Sequence, residues 1–204
     1  IKNIWSIEEL KDKILTTLGL LLIYRIGSTV LLPGVDPDSL TQLQAQTSEG
    51  LLGVLNAFTG GAFSRASVLA LGIMPYISAS IIIQLLTGVT EYFKNLKAQG
   101  EIGRQKITQY TRYGTVLLAL IQGYGVAVSL ENSQGIVQDP GLYFRFVTTI
   151  SLLTGTIFLM WLGEQITVRG IGNGISLIIF SGIVAEIPGA LASTFELGRT
   201  GAIS

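Results

Sequence analysis

Long apolar stretches alternate with short polar ones along this chain. Residues 1–13 are polar and amphipathic, and Ser6 followed by Glu9 fits a capping box, which predicts a short surface helix starting there. Ile14 to Leu32 is apolar except for Arg25. At about 1.5 Å of rise per residue it can cross a hydrocarbon core of about 30 Å. Pro33-Gly34 ends this run, and Asp36-Pro37-Asp38 continues it as an acidic loop. Residues 51–63 (LLGVLNAFTGGAF) are apolar but short, and as a helix they reach only about 20 Å. Ala66 to Thr90 then runs without one charge, the longest uncharged stretch in the chain. After the polar, basic loop 91–112 come Tyr113 to Leu130, Phe146 to Gly163 and Gly170 to Ala185. The last is expected to extend past Glu186 to a break at Pro188-Gly189. The pattern predicts spans over about 14–32, 66–90, 113–130, 146–163 and 172–190.

Lys and Arg orient these spans. Lys2, Lys11 and Lys13 precede the first, loop 91–112 carries Lys94, Lys97, Arg104, Lys106 and Arg112, and the turn near 164–174 carries Arg169. Opposite loops carry Arg145 and Arg199, with Arg65 ambiguous. Five spans with the N-terminus inside and the C-terminus outside satisfy this pattern. A spanning 51–63 would put the most basic loop on the wrong side. That segment therefore either dips in from outside and returns, or lies flat at the outer surface. Irregular backbone at membrane depth needs protein or a watery cavity beside it. The residues alone favour the flat reading.

Composition agrees with a membrane chain. Of 204 residues, 49% are hydrophobic and 13% charged, and the mean hydropathy is +0.57. Soluble domains carry about 25% charged residues. The values argue against a soluble enzyme, a disordered tail and a nucleic-acid binder. Thirteen basic residues balance thirteen acidic ones, so no net field draws a polyanion. There is no cysteine and no histidine, which removes disulfides, thiol nucleophiles, Ser-His catalysis and imidazole metal sites. Glu8, Glu9 and Asp12 precede the first apolar run and no small-residue cleavage site follows it, so the N-terminus does not read as a cleavable signal. No enzyme activity, metal or cofactor is expected.

Two stretches stand out. In Leu71–Leu85, Ile73 and Ile77 share a helix face, Pro75 removes a donor and tends to kink the helix, and Ser78, Ser80 and Gln84 suit helix packing. A pore-facing helix with an isoleucine constriction is one reading. Spacing alone favours ordinary packed or lipid-facing isoleucines. In Gly163–Ser176, glycines alternate at 170, 172 and 174 between two membrane helices, which suits a tight turn rather than a phosphate cradle. Asn173 is a candidate N-cap, and Ile175 and Ile179 repeat the four-residue spacing. Arg25 must face protein or water, or snorkel. Gln84 and Gln122 are the main buried-amide candidates. The spans hold no aspartate and no carboxylate chain of the kind a proton pump uses, which argues against an intramembrane aspartyl protease.

GGAFSRAS at 60–67, GIMPYISASIIIQLL at 72–86, GRQKITQYTRYGT at 103–115 and MWLGEQITVRGIGNGIS at 160–176 resemble the SecY family of Sec translocon channel subunits. The resemblance runs from about Trp5 to Arg199. Val168 departs from it, standing where the family usually has Glu. The resemblance implies an all-α polytopic fold: five transmembrane helices plus a short re-entrant plug, one half of a pseudo-symmetric ten-helix channel. Leu52, Val54, Leu55, Asn56, Phe58, Gly60 and Gly61 correspond to the plug, which favours the cavity reading of 51–63. Ile73, Ile77, Ile175 and Ile179 correspond to a pore ring. Ser78, Ile81, Gln84 and Gln122 correspond to the lateral gate, and Arg104, Lys106, Arg112 and Arg169 to cytoplasmic loops. Implied partners are SecE, SecG, the SecA motor ATPase, a translating ribosome, signal sequences, nascent polypeptides and membrane lipid, with no direct nucleic-acid contact. The implied location is the inner membrane. The alternative from another class is half of an inverted-repeat secondary transporter, which needs a charged or strongly polar midplane site. Apart from Arg25, the expected spans offer none.

Overall fold

The computed structural model describes residues 1–39, 45, 50–58, 61, 66–133 and 135–202, without the side chains of Leu52 and Leu55. Among these residues the chain is all-helical. The helices are α1 (Lys2–Trp5), α2 (Glu8–Gly27), α3 (Gly50–Phe58), α4 (Met74–Val89), α5 (Glu91–Ala98), α6 (Glu101–Asn132), α7 (Leu142–Arg169) and α8 (Gly174–Arg199). A 3-10 turn covers Pro37–Ser39. Two isolated antiparallel bridges, Leu31 to Ser67 and Val35 to Val137, take the place of any strand among the described residues.

The pair α6–α7 is the spine of the molecule. Thr111, Thr115, Ala119, Gly123 and Ala127 recur every four residues on α6 and are buried. On α7, Thr149 and Leu152 meet Gly123 of α6, and Thr148, Gly155, Thr156 and Leu159 are buried too. Meanwhile Leu117, Ile121, Phe146, Ile150 and Trp161 point outward. Small residues inside and large apolar ones outside is the membrane arrangement: lipid already solvates the large side chains, and small ones let backbones approach. Among the described residues three helices, α6, α7 and α8, are long and apolar enough to span a membrane.

The N-terminus differs from the expected capping box. Ser6 instead closes α1, its hydroxyl donating to the Asn3 carbonyl at 2.7 Å, and α2 starts at Glu8 after an uncapped Ile7. The hydroxyl is thus spent backward on the preceding turn. α2 stops at Gly27, before the expected Leu32, because residues 30–32 turn into the bridge with Ser67. Loop 91–112 is also helical, forming α5 and the first turns of α6. Apolar runs mark only the part of a helix facing lipid, and α6 continues past it into polar sequence.

The largest departure lies at 66–90. Only Met74–Val89 is helical, and residues 66–73 run as buried turns. Leu32 N–H donates to the Ala66 carbonyl at 2.9 Å and Val68 N–H to the Val30 carbonyl at 3.0 Å. The Ser67 hydroxyl donates to the Gly27 carbonyl and accepts the Leu69 amide. These bonds satisfy the non-helical backbone inside protein, the condition for such backbone at membrane depth. The segment presses on Gly155 of α7, where any Cβ would overlap the Val68 carbonyl. Pro75 therefore kinks nothing. It sits in the first turn of α4, where its missing N–H had no intrahelical acceptor to lose.

The break expected at Pro188-Gly189 is absent, and α8 continues to Arg199. Proline removes one intrahelical bond, and the surrounding Ala190, Leu191 and Ala192 favour helix.

Candidate functional site

The starts of two helices bring four isoleucines together. Ile73 caps α4 and Ile77 follows one turn later, while Ile175 and Ile179 lie in the first turns of α8. Ile73 is 5% exposed and belongs to a buried cluster with Tyr24, Leu69, Leu159, Leu162, Ile166 and Ile178. Ile77, Ile175 and Ile179 are half-buried and pack against that cluster. The structure thus packs all four candidate ring residues in or against one apolar cluster, the candidate collar.

Local chemistry sets the position of α8. The Asn173 side chain accepts the amides of Ile175 at 3.0 Å and Ser176 at 3.3 Å, as the N-cap reading expects. The Thr167 hydroxyl accepts the Gly174 amide at 2.8 Å. Gly174 and Gly163 sit backbone to backbone, so a Cβ at Gly174 would overlap the Gly163 carbonyl. This close approach of α7 and α8 carries Ile175 to the cluster.

Beside the collar opens a cavity of about 620 Å³. Tyr76, Ile77, Ile81 and Gln84 of α4, Arg112 of α6, Glu164 of α7 and Ile175 of α8 line it. Arg112 Nη2 lies 2.6 Å from Glu164 Oε1, and its Nε donates to the same oxygen at 3.1 Å. The two side chains are 45% and 36% exposed, so the ion pair is largely solvated. Gln84 and Thr108 also border a second groove of about 940 Å³ lined by Lys94, Lys97 and Arg104. Isoleucines and the charged Arg112–Glu164 pair thus share one cavity lining.

The other candidates distribute as follows. Ile81 and Gln84 reach the cavity, whereas Ser78 and Gln122 do not line it. Both are half-buried. Arg104 lines the basic groove, while Lys106 and Arg169 are exposed. α3 packs against α8. On α3, Val54 and Phe58 are exposed, and the Asn56 carbonyl accepts the Gly61 amide at 3.0 Å. Gly60 lies outside the described residues, as do the side chains of Leu52 and Leu55. No group of three acidic side chains suited to a metal occurs among the described residues.

Tyr76 and Glu164 escaped the sequence reading. Glu164 reads as a helix-end acid, and its partner Arg112 is 52 residues away. Glu186 was also passed over as a site, although helical spacing from Ile179 puts it on the collar face.

The SecY family model matches residues 67–204. This chain belongs to the SecY family. It is 56% identical over 199 residues to the protein translocase subunit SecY of Buchnera aphidicola subsp. Acyrthosiphon kondoi, a match covering 96% of this chain and 56% of that protein. The chain spans about half the length of the curated SecY relatives it matches. Its fold resembles a solved protein-conducting channel and Sec61 in a canine ribosome–channel complex from the endoplasmic reticulum. Each has a TM-score of 0.55 and 20% identity, covering 87% of this chain and 37% of the other. At that identity the likeness speaks to fold alone.

Proposed function

We propose that this chain is the N-terminal half of a SecY protein-conducting channel, passing unfolded secretory polypeptides and releasing membrane segments sideways into lipid. The convergence of Ile73, Ile77, Ile175 and Ile179 on one collar beside a charged vestibule carries this reading. Branched apolar side chains cannot replace an ion's hydration shell, so a narrow ring of them blocks ions by dewetting. The same ring makes no hydrogen bonds to any one sequence, so it parts around many polypeptides. A hydrophobic signal leaving past Ile81 and Gln84 of α4 is driven by apolar burial.

In this reading α2, residues 66–89 and the three long helices form five spans, and α3 is the plug seated on α8. The basic residues of α5, α6 and the α7–α8 turn support a cytoplasmic side for that end, at an inner membrane, with the N-terminus on the same side. The chain makes and breaks no bond. A motor ATPase (SecA) or a translating ribosome supplies the energy, SecE clamps the channel and SecG sits at its edge.

The chain lacks cysteine, which makes the test simple. A single cysteine replaces Ile77 in the complete subunit, and a secretory precursor is arrested in transit. A crosslink at 77, with none from a lipid-facing cysteine at Leu117, is the expected result. An arrested precursor with no crosslink at 77 refutes the collar as the path.

A further inference from the structure

Between Gly174 and Phe195 on α8, Glu186 is the sole charged residue. It lies about 18 Å along the helix from Gly174, beyond the middle of a hydrocarbon core of about 30 Å. It is exposed, and no hydrogen bond or ion pair involves it among the described residues. An ionisable group at this depth is costly unless protein or water surrounds it. Lipid is therefore a poor neighbour for it.

Helical geometry says which way it faces. At about 100° per residue, Ile175, Ile179 and Glu186 fall within about 40° of one another around the axis of α8. Glu186 is thus on the collar face, about 10 Å beyond Ile179. Small residues, Gly182, Gly189 and Ser193, share this face and leave room beside the carboxylate. Among the described helices α8 contacts α7, α3 and α2, and the α3 sequence GLLGVLNAF carries no charge. α3 therefore offers Glu186 no counter-charge. A polypeptide in transit, with its lysines and arginines, can supply one.

We propose that Glu186 is a charge-selective element of the polypeptide path, its carboxylate taking lysine and arginine side chains of a chain that has passed the isoleucine collar. This rests on the channel reading. The carboxylate offsets part of the cost of holding a cation in the narrow, poorly hydrated passage. It favours basic segments over acidic ones, whose carboxylates it repels.

The test uses the complete subunit in vesicles. Single cysteines at Ile179 and Glu186 are probed against an arrested precursor. Separately, transit rates are compared for two precursors differing only by Lys→Gln changes in the mature region. The expected result is a crosslink at both positions. The Lys-rich to Gln-substituted rate ratio should fall about two- to fivefold in E186Q, the range for one partly screened ion pair. E186D restores the ratio. A crosslink at 179 but not 186, or an unchanged ratio in E186Q, overturns the proposal and leaves the collar in place. No crosslink at either position overturns the path itself.

Discussion

The Thr17 hydroxyl of α2 accepts the Ile171 amide at 3.0 Å, across 154 residues of sequence. It also donates to the Lys13 carbonyl at 2.9 Å. One buried side chain thus ties the first long helix to the glycine turn that launches α8, and through α8 to Ile175 and Ile179. Thr17→Val keeps the shape and leaves the turn amide unpaired. The complete subunit in detergent should lose about 1–3 kcal/mol in thermal or denaturant unfolding. Thr17→Ser should recover most of that loss.

Gly155 is the contact point of the buried 66–73 segment. A methyl there meets the Val68 backbone, which has no rotamer to yield. Gly155→Ala should cost about 1–3 kcal/mol through overpacking, whereas Gly125→Ala, with nothing nearby, should not. Parallel unfolding curves of the two variants check this.

The Arg112–Glu164 bond is well aligned but solvated. A double-mutant cycle with Arg112→Gln and Glu164→Gln should give a coupling of no more than about 1 kcal/mol, falling as salt is added. A large, salt-independent coupling would mean that the cavity is drier than its exposure implies.

Ile77→Asn places an amide in the collar. In the complete channel, planar-bilayer recordings should show higher small-ion conductance with the channel at rest, while Ile77→Leu stays near the parent level. Equal conductance in all three would argue against the collar as the ion seal.

Local rules were legible in the sequence. Asn173 was readable as a cap because the signal spans three residues. The alternation of apolar runs placed α6, α7 and α8, although it missed their polar ends. What escaped depends on distant chain. Residues 66–73 have a spanning composition, yet Val30, Leu32 and Gly155 hold them out of a helix, and none of these is near in sequence. Glu164 needed Arg112 to stand out. Ile73 and Ile77 had a spacing shared by many lipid-facing isoleucines, and only the arrival of α8 beside them makes one apolar cluster with Ile175 and Ile179.

The two backbone bonds that pin residues 66 and 68 to the strand-like stretch after α2 also act as a mooring. Ala66 is fixed to the wall, and α3 ends at Phe58. Eight residues of fully extended chain cover about 28 Å at most. On the proposed channel reading, that covalent length is the farthest Phe58 can stand from Ala66, so a displaced α3 stays within it.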